Sequence, residues 1–347
     1  MVITMRANNV LGIIYSNAYD SVLSELTNAR TMGSVPFGGR YRLIDFALSN
    51  LVNCGINKVG IITKSNYQSL MDHIGTGKPW DLSRKRGGMF LLPPFNNSHT
   101  GMYRDRIQAL RGIMRFLEQS KEEYIVLMDT NVVCNFDLND MCRAHTESGA
   151  DITIAYHHGR APRLDDLMTF TFEENQKVAK IALDPKTSKP VDYAMNIILI
   201  SKALLTRLIN NAVSLNQDSF VRDVIQHNLK RLNIYGYEVS GFTSVFDSLQ
   251  SYYDISMSLL DPANCQELFT RERPVYTKVR DDMPAIYGLG STVKNSLVQM
   301  GAASTAKWKT ASYSVAFKLA RALWCVILSS CRALTSARAF ISLRHCR

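Results

Sequence analysis

The sequence predicts an α/β protein on a mixed, mostly parallel sheet, and three observations carry that prediction. Short apolar runs alternate with segments of helical period, as in doubly wound folds. The runs Val10–Tyr15, Lys58–Thr63 and Tyr124–Met128 are apolar almost throughout, as expected of parallel strands covered on both faces. Later runs, Ile152–Tyr156, Met168–Phe172, Val178–Ala182 and Ala194–Ile200, alternate more and have hairpin-like spacing.

Taken in order, Val10–Tyr15 is the first strand and residues 41–53 the first long helix. Lys58–Thr63 is the second strand, and helices follow at 66–74 and 107–119. Tyr124–Met128 is a strand that ends at Asp129, which places a carboxylate where ligands of open α/β sheets bind. The four alternating strands predict a mixed sheet forming a lid, and helices at 202–212, 219–231 and 248–260 close the domain. The division predicted is 1–260 for this domain, 261–298 for a linker and 299–347 for a basic tail.

Of 347 residues, 46% are hydrophobic, which is ample for a buried core. The seven cysteines form no Cys-x-x-Cys pair, so reduced thiols in a cytoplasmic protein are expected rather than a zinc site or disulfide framework. No export signal is legible at the start of the sequence, and no run approaches the ~20 apolar residues of a membrane span. Eight of the 40 Lys and Arg fall in residues 299–347, which have no Asp or Glu. Residues 1–298 therefore carry 32 basic against 30 acidic side chains, a balance that argues against a nucleic-acid partner.

The most specific stretch is Ser34-Val-Pro-Phe-Gly-Gly-Arg-Tyr-Arg-Leu-Ile-Asp-Phe, a Gly38-Gly39 turn and two arginines leading into an amphipathic helix. It resembles the ADP-glucose pyrophosphorylases (glucose-1-phosphate adenylyltransferases), and the resemblance runs from about Asn9 to Val298. It implies a Rossmann-like nucleotide-diphospho-sugar transferase domain followed by a left-handed β-helix. Adenylyl transfer needs amides and cations around a triphosphate, carboxylates for Mg²⁺ and a cation for the sugar phosphate.

Several residues that the resemblance assigns to that work are replaced. Of the Gly-Gly-x-Gly-x-Arg-Leu loop, Asn17, Ala18 and Asp20 stand at the glycines and Val22 at the arginine. Arg-Ala-Lys-Pro corresponds to Arg30-Thr31-Met32-Gly33, which keeps Arg30 as a catalytic cation and loses the lysine. Substrate binding is implied for Gly38, Gly39 and Arg40, and for Tyr103 and Arg104 of an aromatic-Tyr-Arg-Gly-Thr-Ala-Asp motif whose remainder here is Asp105-Arg106-Ile107-Gln108. Asp105 reads equally as a helix cap. Asp129 stands at the catalytic, metal-binding aspartate and Asp223 at a second metal position, so Mg²⁺ is the implied cofactor. The alternatives for Asp223 and Asp247 are a surface ion pair and a helix cap. Asp184 replaces the sugar-phosphate lysine. His73, His157 and His158 read as structural, and Arg84-Lys85-Arg86 as a loop near the site or a solvated basic loop.

Retained scaffold residues with lost phosphate contacts resemble the non-catalytic or weakly catalytic subunit of this family, whose partner would be the catalytic subunit, with a nucleotide or sugar phosphate as ligand. The alternative is an active adenylyltransferase using Asp129, Arg104 and Asp223. The hexapeptide repeats of the β-helix are absent from the tail. Permitted codons for Gln299 onward, shifted by one base, spell such repeats, so a single-base deletion after Val298 is expected, which resequencing tests. The tail as it stands is expected to be poorly ordered or a loose helix; the competing reading is a basic amphipathic membrane helix over 315–328.

Overall fold

A computed structural model describes residues 9–94, 103, 105–184, 187, 189–281, 284–289 and 291–298, with short stretches of backbone to Leu319. In chain order the strands are β1 (Val10–Tyr15), β2 (Pro36–Phe37), β3 (Tyr41–Arg42), β4 (Lys58–Ile62), β5 (Gly88–Leu92), β6 (Tyr124–Asp129), β7 (Val132–Cys134), β8 (Ile152–Gly159), β9 (Met168–Phe172), β10 (Val178–Leu183), β11 (Val191–Ser201), β12 (Ile234–Glu238) and β13 (Thr243–Val245). The helices that pack on them are α1 (Ser24–Thr27), α2 (Leu43–Asn53), α3 (Gln68–Ile74), α4 (Arg106–Gly112), α5 (Met114–Glu118), α6 (Leu138–Ser148) and α7 (Lys202–Ser214).

Nine strands form one sheet, with the path β10-β9-β11-β6-β1-β4-β5 and with β8 joining β11 to β12. The run β6-β1-β4-β5 is parallel, whereas β11 lies antiparallel to β6. The alternating strands therefore extend the central sheet instead of forming a separate lid. The cause is the length of β11, whose last residues pair with β6 while Asp192 and Tyr193 pair with β9.

Period-two alternation puts a core on each face. Val10, Ile14, Val126, Met128, Ile197 and Leu199 face one cluster, together with Ile44, Leu48 and Leu51 of α2. Leu11, Ile13, Ile125, Leu127, Ile198 and Ile200 face the other, with Leu110 of α4 and Leu205 and Ile209 of α7. Cys54, Cys134 and Cys142 are buried free thiols, and Cys265 is half-buried. His73 meets Asp45 at 2.6 Å, His145 meets Thr153 at 2.7 Å and His158 meets Asp192 at 2.7 Å, all holding structure.

Two helices depart from the periodic reading. The segment 107–119 breaks at Ile113 (φ −102°, ψ 9°), directly after Gly112, the weakest helix former in it. The segment 219–231 opens as a π-helix over Phe220–Ile225 and tightens to a 3-10 turn at Gln226–Asn228. There Asn228 Nδ2 donates to the Val224 carbonyl at 2.9 Å, taking the acceptor that a regular α-helix would offer to its own backbone N–H.

The entry to β5 needs glycine. Gly88 has φ 92°, and a Cβ there would lie 2.8 Å from the Leu82 carbonyl oxygen, an atom of the backbone that cannot swing aside. We expect Gly88→Ala to cost about 1–3 kcal/mol in urea unfolding. An unchanged midpoint would contradict the strain argument.

The chain divides into two compact units, one of residues 1–35, 42–252 and 266–278, the other of 36–41, 253–265 and 279–347. The second contains the Gly38-Gly39 turn, with φ 59° and 84°, and Arg40, whose guanidinium lies 5.0 Å from the Tyr41 ring centroid. It also contains three short parallel ladders. Ile286–Tyr287 pairs with Ala303–Ser304, which pairs with Lys318–Leu319. Thr292–Val293 pairs with Lys307–Trp308, and Ser296–Leu297 with Ala311–Ser312. The described backbone after residue 302 is four two-residue strands, which differs from the loose-helix alternative of the expectation and leaves the poorly ordered one untouched. Parallel pairing between successive turns of chain is a matter of register, which composition does not encode. The competing reading, a membrane helix over 315–328, falls almost wholly outside the described residues.

Candidate functional site at the carboxyl ends of the parallel strands

Adjacent parallel strands end together at Tyr15 on β1, Ile62 on β4 and Asp129 on β6, with Tyr15 in register with both others. Asp129 is 1% exposed. Its carboxylate is held by Arg106, the first residue of α4. A single guanidinium nitrogen, Nη2, lies 2.6 Å from Oδ1 and 2.5 Å from Oδ2. The guanidinium carbon is 4.6 Å from the Tyr15 ring centroid and 5.7 Å from that of Phe220, so the cation meets two aromatic rings as well as a carboxylate.

Burial pushes the Asp129 carboxyl above its ordinary range, and Arg106 opposes that push. Burial by itself would weaken the Arg106 cation, but Asp129 outweighs it and holds Arg106 firmly charged. The arginine is placed by its neighbour: Asp105 caps α4, its Oδ1 accepting the Gln108 N–H at 2.8 Å, so Asp105 is the helix cap that the sequence allowed. The sequence reading passed over Arg106. Its signal was a cation at the first turn of an amphipathic helix, within the altered remainder of the Tyr103 motif.

The loop after β1 is filled rather than open. Asn17 Nδ2 donates to Asp20 Oδ2 at 2.6 Å and to the Ser65 carbonyl at 3.0 Å, while Asn17 Oδ1 accepts the Lys64 N–H at 2.7 Å. Asp20 Oδ1 accepts the Met32 N–H at 2.8 Å, and Met32 itself is fully buried. Tyr19 adopts φ 60° and accepts a hydrogen bond from Asn196 Nδ2 at 2.9 Å. Side chains here make the contacts that a glycine loop would leave to a phosphate.

Burial raises the Asp20 carboxyl to about 6, against the hydrogen bonds from Asn17 and Met32 that favour its charge. An unfolded aspartate releases its proton near ~4, so between about pH 4 and 6 the folded chain binds more protons. Stability contributed by this group is therefore largest below about pH 4 and falls as pH rises to 6. Urea unfolding at pH 4.5 and 6.5 should show that slope, and Asp20→Asn should flatten it. A slope unchanged by the substitution would remove Asp20 as its source.

Of the remaining predicted residues, Tyr103 joins these strand ends. Arg30 lies in the turn after α1, its N–H donating to the Thr27 carbonyl at 3.2 Å. Tyr103 donates its hydroxyl to the Thr63 carbonyl, and burial raises its pKa. Arg104 is outside the described residues, and Gly38, Gly39 and Arg40 belong to the second unit. Asp223 accepts from Arg222 Nε at 3.1 Å and from the Ser219 N–H at 3.0 Å, and these partners hold its carboxyl below the usual range. Asp247 accepts the Arg163 N–H at 2.8 Å, and exposed Asp184 accepts the Leu167 N–H at 3.1 Å.

The residues present do not fit a divalent metal. Both Asp129 oxygens are taken by Arg106, Asp223 is held by Arg222 and the Ser219 N–H, and among the described residues no three His, Cys, Asp or Glu side chains converge.

The chain is similar in sequence to known proteins. The nucleotidyl transferase family profile matches residues 12–257. The glycogen biosynthesis protein GlgD of Bacillus subtilis is 34% identical over 297 residues, covering 86% of this chain and 77% of its own length. GlgD of Geobacillus stearothermophilus is also 34% identical, over 85% of this chain and 76% of its own. A glucose-1-phosphate adenylyltransferase of Clostridium acetobutylicum is 30% identical over 86% of this chain and 79% of its own.

Proposed function

The chain belongs to the nucleotidyl transferase family, and from that premise we propose that it is a GlgD-like subunit of glucose-1-phosphate adenylyltransferase in glycogen biosynthesis, catalytically weak or inactive, that modulates a catalytic partner subunit in the cytoplasm. The observation that carries the proposal is the Arg106 guanidinium seated on Asp129, a cation of the chain itself where family members generally use a divalent metal. The loop of Asn17, Asp20 and Met32 supports it, since it fills the space that phosphates would need and adds a carboxylate that repels them. A nucleotide or sugar phosphate is still a fitting ligand for such a scaffold, bound for regulation rather than turnover. No helix among the described residues is long and apolar enough to cross a membrane.

The second reading, an active adenylyltransferase through Asp129, Arg104 and Asp223, is disfavoured by the partners that Asp129 and Asp223 already have. One assay separates the two: ATP and glucose 1-phosphate with the purified chain alone, and then with a catalytic subunit added. Negligible product from the chain alone, together with altered kinetics of the partner, is the expected result. Turnover by the chain alone within about tenfold of a catalytic subunit would overturn it.

A further inference from the structure

The contact between Arg106 and Asp129 is not the usual fork of two parallel hydrogen bonds between guanidinium and carboxylate. One nitrogen, Nη2, is shared by both oxygens at 2.6 and 2.5 Å, which places a positive centre on the bisector of the carboxylate. That is where a cation chelated by both oxygens of one aspartate sits. Among the described residues the second nitrogen, Nη1, is buried with no hydrogen-bond partner, and so is the Tyr15 hydroxyl, on the ring that the guanidinium covers. Orphaned buried donors are costly, so the arrangement sacrifices hydrogen bonding to keep one positive centre against Asp129.

We propose that Arg106 is a resident cation standing in for a divalent metal at Asp129, so that this site takes no divalent ion, and that replacing Arg106 opens one there. The inference rests on the family reading above only for the idea that Asp129 would otherwise meet a metal. Everything else comes from the contact. Asp129 has no exposed side-chain surface, and Arg106 is the only described side chain forming an ion pair with it. An approaching ion would have to displace a largely covered guanidinium that also lies over the Tyr15 and Phe220 rings. With the guanidinium gone, the same buried carboxylate lacks a counter-charge and a divalent ion that retains part of its water shell supplies one.

The test is Mn²⁺ binding, followed by water-proton relaxation and by the shift of the unfolding temperature, on the full chain. The intact chain and Arg106→Lys should show no Mn²⁺ site that Asp129→Asn removes. Arg106→Ala should gain one equivalent of Mn²⁺ at least about tenfold more tightly than Arg106→Ala/Asp129→Asn, and Mn²⁺ should raise its unfolding temperature but not that of the intact chain. Should Arg106→Ala not fold, Arg106→Gln, neutral and still a donor, carries the same comparison. An Asp129-dependent Mn²⁺ site in the intact chain, or a folded neutral variant that gains none, overturns the proposal. Because the readout is metal binding, an active intact chain would refute the proposed function and leave this inference standing, and an Asp129-dependent metal site in an inactive chain would do the reverse.

Discussion

Arg106→Ala is expected to lower the unfolding free energy by about 3–5 kcal/mol at pH 7, the range typical of breaking a buried ion pair from one side. Most of that loss is the uncompensated charge left on Asp129, whose side chain is 0% exposed. The penalty has a sign in pH. Without its partner the Asp129 carboxyl is raised further above its unfolded value by burial, so it is destabilising when ionised and the loss should shrink as pH falls toward about 4. Asp129→Asn alone strands the arginine in turn, whereas Arg106→Met/Asp129→Asn removes both charges. That double variant should recover at least half of the sum of the single losses, because the pair as a whole adds little net stability. Urea unfolding of the intact chain, Arg106→Met, Asp129→Asn and the double variant completes the cycle. If Arg106→Ala cost less than about 1 kcal/mol, the pair would be a surface-like contact and its proposed role would fall with it.

How much of this was legible beforehand follows from what each feature depends on. The strands β1, β4 and β6 stand out because a parallel strand buried on both faces must be apolar throughout, and Val10–Tyr15 and Tyr124–Met128 are. Asp129 was legible for the same reason, as the first polar residue after such a run. The partner of Asp129 was not, since Arg106 lies 23 residues earlier and meets it only because α4 starts above the ends of β1 and β6. Local pattern places Asp105 as a cap; it says nothing of where the next side chain points. The loop substitutions at Asn17, Ala18 and Asp20 were visible one by one, but their mutual hydrogen bonds, which turn lost glycines into a filled loop, appear only in three dimensions. The π-turn at Phe220 was hidden as well, because its apolar positions suit an α-helix.

Restoring activity should need Arg106 more than any other position. The six changes Asn17→Gly, Ala18→Gly, Asp20→Gly, Val22→Arg, Met32→Lys and Asp184→Lys reopen the loop and return the cations for both phosphates. Provided that the variant folds without the Asn17, Asp20 and Met32 hydrogen bonds, it should bind ATP more tightly than the intact chain does. It should still form almost no ADP-glucose, because Asp129 remains neutralised by Arg106 and no metal can stabilise charge on the reacting phosphorus. Adding Arg106→Thr, the residue of the resembled motif at that position, should raise Mg²⁺-dependent product formation at least about 100-fold over the six-change variant, on the scale of losing one charge-stabilising group in a transition state. Arg106→Thr alone should make no measurable product, since groups that act as one unit are grossly non-additive. The comparison needs only product formation and ATP affinity for the four chains at several Mg²⁺ concentrations. A six-change variant as active as the seven-change one would show that Arg106 does not block the chemistry, and the loop alone would then explain a weak catalyst. A seven-change variant that binds ATP and responds to Mg²⁺ in binding but makes no product would locate a further defect outside these seven positions.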